Sequence, residues 1–288
     1  MKLDEECKDC LYNSQLKKVE RSQTDLQKLQ AFKDGVRGLC ANPPKDYCSP
    51  LLMRDINEYH KRIFGSGIDY SREKALFNGL LLKIEDNLYG EIISSSDPVC
   101  EALKFAMAAN YIDFARLSDL NEQAVDYVIQ SAKRAEPHPL ALKSFKDRLE
   151  TAKSLCYLHD NCGEIVLDKV LIRVINKLYP HISVISVVRG KEVINDVTEA
   201  DAIFIGLDKV AKVINNGTGV PGTHLKEISS ETRKAIFESD IVISKGLGNL
   251  ETLYDEGVSA FYVFTCKCEH IAQRFNAPLW STVFTEGN

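Results

Sequence analysis

Residues 154–170 read SLCYLHDNCGEIVLDKV. A short apolar run, Ser154 to Leu158, stops at the polar triplet His159-Asp160-Asn161. Gly163 follows, and from Ile165 apolar residues recur at helical spacing. That is the grammar of a buried strand feeding an amphipathic helix, and it repeats downstream. Strands are expected at 182–188 (ISVISVV), 202–206 (AIFIG), 240–244 (DIVIS) and 260–264 (AFYVF), with the helical stretches IVLDKVLIRVINKLY, SSETRKAIFES and NLETLYDEG between them. Continuous apolar strands alternating with helices predict a mostly parallel sheet covered on both faces.

Upstream of residue 150 the pattern is helical throughout. Helical spacing runs through 4–39, 51–64, 72–89 and 99–109. Ser71 and the pair Asp97-Pro98 are start signals, Asp119 or Asn121 caps a further helix, and Pro137 and Pro139 open the last one. The expected architecture is therefore α/β: a Rossmann-like, mostly parallel sheet flanked by helices, with an N-terminal all-helical cap or bundle. The change of pattern divides the chain into a helical domain, 1–150, and a sheet domain, 151–288.

Composition narrows the function. The chain has 288 residues, 44% of them hydrophobic, enough for a large core, since roughly 75% of the unfolded surface leaves water at this size. With 36 basic and 41 acidic residues it carries −5, so no overall positive field draws it to nucleic acid or an anionic bilayer. No apolar window of about 18 residues is present, and the opening MKLDEECKDC is charged; a cytoplasmic protein without nucleic-acid or membrane partners is expected. The nine cysteines are an odd number, and Cys100 and Cys156 sit inside apolar runs, as reduced thiols do.

In an open parallel sheet, ligands bind beyond the carboxyl ends of the strands, which turns strand endings into a search list. They supply Asp160 and Asn161, then Arg189, Asn195 and Asp196, then Lys245, Gly246, Asn249 and Glu251. Asp160, Asn161 and Asp196 form an oxygen-donor set of the kind that Mg²⁺ or Mn²⁺ accepts alongside water and phosphate. Lys245 would bring positive charge to the same rim, and Gly246 and Gly248 would let backbone approach an anion. Plainer readings stand beside this one. Taken alone, Asp160-Asn161 reads most simply as a helix N-cap, Asp196 equally as a turn cap, and His159 as a strand-end polar residue rather than a group behind the site.

Rival chemistries leave weaker traces. NNGTGVPGTH (215–224) and KGLGN (245–249) lack the spacing of dinucleotide or P-loop motifs, and no G-x-S-x-G elbow is present. Cys7-x-x-Cys10 is a candidate structural metal site. Its natural partner, Cys266-x-Cys268, lies at the far end of the chain, so folding would have to join them.

The segments together resemble the metal-dependent damage-control phosphatases, long catalogued as a domain of unknown function. HDNCGEIVLD resembles their DNAGE(I/V)xxD signature, VRGKEVINDVT their V+GxPxxNDxT segment, and SDIVISKGLGNLETL their ADLIIxKGxGNxE segment. NNGTGVPGT is similar to a Gly-Pro-Gly segment, ANYIDFARL to GNxIDxG, and CKDCLYNSQ to the opening of the CxxC branch found in archaea and bacteria. Cys162 stands where the family has alanine, and Ala109 and Ala115 stand where it has glycine. The resemblance implies a divalent cation (Mn, Mg, Co or Ni) held by Asp160, Asn161 and Asp196, and Lys245 near the substrate phosphate. It also implies Asn110 and Asp113 facing the cleft. Glu164, Arg189, Gly246 and Asn249 complete the expected contacts to a small phosphorylated metabolite. A phosphomonoesterase is the leading expectation, and a non-catalytic nucleotide or phosphometabolite sensor using the same cleft is the alternative.

Overall fold

The computed structural model describes residues 1–110 and 122–287. Among these described residues, seven helices come first: α1 (Glu5–Ser22), α2 (Leu26–Ala41), α3 (Ser49–Phe64), α4 (Ser71–Ile93), α5 (Pro98–Ala109), α6 (Glu122–Arg134) and α7 (Pro139–Leu149). The expected 4–39 helix is two helices, because Asp25 breaks it: its carboxylate accepts from the amides of Gln27 and Lys28 and starts α2. Asp97 caps α5 by accepting from Cys100 N, with Pro98 in the first turn, and Pro139 opens α7. The residues Asp119 and Asn121 lie outside the described segments. Among the described residues no helix is long and apolar enough to cross a membrane.

The sheet half runs β1 (Ser154–Leu158), α8 (Glu164–Leu178), β2 (Ser183–Val188), α9 (Glu199–Phe204), β3 (Lys212–Asn215), α10 (Ser230–Glu238), β4 (Ile241–Lys245), α11 (Gly246–Leu253), β5 (Ala260–Thr265), α12 (Glu269–Arg274) and β6 (Thr282–Gly287). The strand order is β3-β2-β1-β4-β5-β6, parallel except for β6. The order reverses between β1 and β4, where a doubly wound sheet leaves a crevice at its carboxyl edge.

Both faces are buried, which is why the strands read as unbroken apolar runs. Leu155, Tyr157, Ile241, Ile243, Phe261 and Val263 point into one core with α4, α5, α7 and α8. Cys156, Leu158, Val242, Tyr262 and Phe264 alternate into a second core with α10, α11 and α12. A third, smaller core binds α1, α2 and α3 through Val19, Phe32, Val36, Leu52 and Ile56.

Two expectations change here. Helix α8 is not amphipathic but buried on every side from Glu164 to Ile172, because α4 and α5 cover the face that the sheet does not. Each of Ile165, Leu171 and Ile172 removes a side chain from water, which stabilises the fold by about 1.5–3 kcal/mol apiece. Glu164, Asp168 and Lys169 are buried with them and therefore need partners.

The expected strand 202–206 is instead the end of α9. Thr198 and Asp201 form a reciprocal capping box that starts a helix, and Ile203 and Phe204 face solvent. The strand beside β2 is β3, whose short mixed KVIN carries little apolar signal. Strand β6, half-exposed at the sheet edge, lacks such a run too.

Candidate active site

The segments that follow β1 and β2 are zipped together by backbone. Val197 N donates to Asp160 O (2.9 Å) and Cys162 N to Asn195 O (3.0 Å), with an antiparallel bridge between Asn161 and Asp196. Residues 35 positions apart thus share one site. Ile194, just before this bridge, has φ of +48°, a left-handed conformation that costs a β-branched residue energy and tends to mark functional loops. Lys74 of α4 anchors the same loop, pairing with Glu192 (2.8 Å) and Asp201 (2.6 Å).

Neither Asp160 nor Asn161 caps α8. The N-cap is Gly163, with φ of +84° and no side-chain cap, and Asn78 Oδ1 accepts the Gly163 amide at 2.6 Å. Asp196 likewise caps nothing at α9, where Thr198 does. The polar side chains at these strand ends are therefore left over from capping.

Asn161 Nδ2 donates to Asp160 Oδ2 and Glu164 Oε1, both at 2.7 Å, which leaves the amide Oδ1 as this side chain's remaining acceptor. Asn110, following α5, donates to both Glu164 oxygens (3.0 and 3.3 Å) and lies 3.5 Å from Asp160 Oδ2, while its own oxygen accepts Thr265 N at 3.0 Å. Asp113 lies outside the described residues. Arg189 donates from Nε to Asp196 Oδ2 (2.6 Å) and from Nη1 to Asn249 Oδ1 (3.1 Å). Its Nη2 is buried without a hydrogen bond among the described residues, 3.5 Å from Asp160 Oδ1.

Lys245 is fully buried. Its ammonium donates to Asp168 Oδ1 (2.8 Å) and the Ala106 carbonyl and lies 3.3 Å from Glu164 Oε2. Gly246 has φ of +81°, and a Cβ there would stand 1.9 Å from Asp160 Oδ2, so no side chain fits beside that carboxylate. Asn249 does not face the crevice alone: its Nδ2 ties down the carbonyls of His159 (3.1 Å) and Lys245 (2.7 Å).

Electrostatics separate the carboxylates. Burial, then the neighbouring Glu164 and Asp196, push Asp160 well above the usual carboxyl range, and burial raises Asp196 against the pull of Arg189. Burial would also raise Asp168, but Lys245 and His159 bring it below its ordinary value, and Lys245 is held up in turn by Asp168 and Glu164 despite its burial.

Sequence reasoning missed two groups. Asp168, four residues beyond Glu164 on one helix face, accepts from Tyr157 (2.8 Å) and pairs with His159 Nδ1 (3.1 Å), whose Nε2 meets Ser186 (3.1 Å). The other is Lys267, in the segment after β5. Its charge opposes the rise of Asp160, and it is paired with no carboxylate among the described residues. The strand-end rule reaches Lys267 when applied to AFYVF as it was to the earlier strands.

A cavity of about 940 Å³ lies beside this cluster rather than over it. Lys191 to Ile194 line it together with Lys61, Lys74 and Gly219, whereas Asp160, Asn161 and Asp196 do not. Among the described residues no three His, Cys, Asp or Glu side chains are set as a metal cage. The donors here are two aspartates and an amide oxygen, backed by Glu164. Four carboxylates, Asp160, Glu164, Asp168 and Asp196, face two buried cations, Lys245 and Arg189. That excess of negative charge, all on oxygen, suits a hard divalent cation.

A family model for the damage-control phosphatase ARMT1-like domain matches residues 3–283. The chain belongs to that family. It is 30% identical over 238 residues to an uncharacterised protein of Methanocaldococcus jannaschii, covering 79% of this chain and 76% of the relative. A damage-control phosphatase of Archaeoglobus fulgidus is 28% identical over 233 residues, covering 78% of each chain. A third relative, a damage-control phosphatase of Pyrococcus horikoshii, is 32% identical over 183 residues, covering 62% of this chain and 61% of its own. A crystal structure of a DUF89 family protein from Pyrococcus horikoshii superposes over the whole of both chains with a TM-score of 0.86 and 25% identity. Membership of this family and relatives named as damage-control phosphatases support phosphatase function in general terms.

Proposed function

We propose that the protein is a divalent-cation-dependent phosphatase that hydrolyses phosphomonoesters of small metabolites, sugar phosphates or damaged, cofactor-related phosphometabolites. The supporting observation is the zipped pair of strand-end segments at the switch point, which gathers Asp160, Asn161 and Asp196 in one cluster with excess negative charge. Asp160, Asn161 and Asp196 would hold Mn, Mg, Co or Ni. Such an ion, when bound, neutralises phosphoryl oxygens and lowers the pKa of a water.

The remaining steps belong to the chain's own residues. Arg189 holds Asp196, and its unsatisfied Nη2 points to one more acceptor, which a phosphoryl oxygen supplies. Asn110 and Asn161 fix Glu164 and Asp160 by donated hydrogen bonds. Lys245 works through Asp168 and Glu164, setting the carboxylates. Lys267, which pairs with no carboxylate among the described residues, would meet the substrate phosphate from the β5 side.

The test is phosphate release from a panel of sugar phosphates and phosphopantetheine-like esters, with each ion in turn after chelation. Release that requires the ion is expected, and absence of release with every ion and ester would sink the reading. Replacing Lys267 by glutamine removes a charge-assisted hydrogen bond worth about 1.5–3 kcal/mol. The expected loss in kcat/KM is therefore about 10- to 100-fold, with melting temperature little changed because Lys267 supports no ion pair among the described residues.

A further inference from the structure

Four of the nine cysteines form two close pairs at opposite ends of the chain, and the fold brings these ends together. Cys7 and Cys10, three residues apart, occupy neighbouring positions on one face of the first turns of α1. Cys268 is the N-cap residue of α12, and Cys266 precedes it, directly after β5. Asp4 joins the two elements: its Oδ1 accepts Cys7 N at 2.7 Å while its Oδ2 pairs with His270 Nδ1 at 3.0 Å. Cys10 lies close enough to Cys268 to act on its ionisation, as Cys268 does on Cys266. No disulfide joins any of these thiols.

We propose that Cys7, Cys10 and Cys268, with His270, form a structural site for a borderline-soft divalent cation of the zinc class, clipping α1 to the segment between β5 and α12. Thiolate and imidazole donors from two short-spaced pairs are the set such an ion takes, at about 2.3 Å for sulfur and 2.0–2.1 Å for nitrogen. Among the described residues no three such side chains are already set as a metal cage, so the proposal requires side chains to converge when the ion binds; Cys10 is exposed and Cys7 half-buried. Binding would release the thiol protons to solvent as the thiolates form.

A redox pair fits the surroundings less well. The carboxylate of Asp4 lies beside Cys7, and that of Glu251 acts on Cys268. Such neighbours disfavour a reactive thiolate, but they attract a cation. The clip also has a consequence for the crevice, because Lys267 lies between Cys266 and Cys268 and so would be positioned by it. The proposal does not depend on the phosphatase reading.

Cobalt(II) serves as the probe, since only sulfur ligation gives it a thiolate-to-metal charge-transfer band in the near ultraviolet. The full-length protein is expected to show that band with one equivalent of Co²⁺, and to lose it on addition of Zn²⁺. Cys10→Ser, at an exposed position, and Cys268→Ser should abolish the band, whereas Asp160→Ala should retain it. A wild-type protein that binds Co²⁺ without the band, or a Cys10→Ser, Cys268→Ser double variant that keeps it, overturns the proposal. Loss of phosphatase activity alone would leave the band unchanged.

Discussion

Asp160→Ala is expected to reduce phosphate release by about a thousandfold or more while raising the melting temperature of the protein measured in chelator. The activity loss follows from removing a carboxylate that would hold the cation. The ion's charge stabilisation is worth several kcal/mol, at about 1.4 kcal/mol per tenfold. The stability gain follows from the crowding at the strand ends. Asp160 is largely buried beside Glu164 and Asp196, and its carboxyl is held well above its ordinary range. A carboxyl with a raised folded pKa binds its proton more tightly in the native state than in the unfolded chain. Its contribution to stability is therefore lost as pH rises from about 4 through the folded value.

Alanine removes that liability without orphaning the neighbours. Asn161 keeps Glu164, and Arg189 keeps Asp196 and Asn249. A rise of about 2–4 °C accompanies each kcal/mol gained in a chain of this general size. It should be absent near pH 4 and develop toward neutrality. Thermal melts in chelator across that range, with phosphate release measured in parallel, check both halves. A variant that melts lower than wild type at neutral pH would show that the carboxylate supports the fold.

Strand ends carried the candidate site into view because a parallel sheet dictates where side chains can meet a ligand. SLCYL ends where the apolar pattern says it should, so Asp160 and Asn161 could be placed before any coordinates. That neither residue caps α8 emerged only from Gly163 at the N-cap with φ of +84°, which no pattern of residue types reveals. AIFIG misled because alternation over a few residues says strand, while Thr198 and Asp201 upstream start a helix that leaves Ile203 and Phe204 outside. The capping residues were the better signal, since they satisfy specific backbone amides, whereas a short apolar run suits either element.

Burial of charge was the least legible feature. Lys245 at a strand end invites the reading of a rim cation, yet its partner Asp168 lies 77 positions earlier on α8 and sealed by α5 through the Ala106 carbonyl. Only the packing of α4 and α5 on α8 makes Asp168 and Glu164 buried, and that packing joins residues far apart in sequence. Lys267, by contrast, was reachable from the strand-end rule at β5.

The largest stability effect is expected at Lys245. Lys245→Met keeps the stem's volume but leaves Asp168 and Glu164 buried without their cation, and breaking a buried pair on one side costs about 3–5 kcal/mol. Asp168→Asn should be costly too, but less so. The amide can still accept from Tyr157, and His159 can take its other tautomer, accepting at Nδ1 and donating to Ser186. The double variant should recover a substantial part of the summed cost, because the penalty lies in the unpaired charge more than in the lost contact.

The pH dependence has a fixed sign on both sides. Asp168 is depressed in the fold, so its contribution is present above its unfolded value of about 3.9 and is lost as pH falls through the lower folded value. Lys245 is raised, so its contribution is present below about 10.4 and is lost as pH climbs through the higher folded value. The cost of Lys245→Met should thus be flat through neutrality and shrink in acid, where the stranded Asp168 takes up a proton. Urea denaturation of the two single variants and the double variant at several pH values measures all of this. A cost below about 1 kcal/mol for Lys245→Met, the value typical of a surface pair, or strict additivity in the double variant, would mean that Lys245 holds its position for the substrate rather than for the fold.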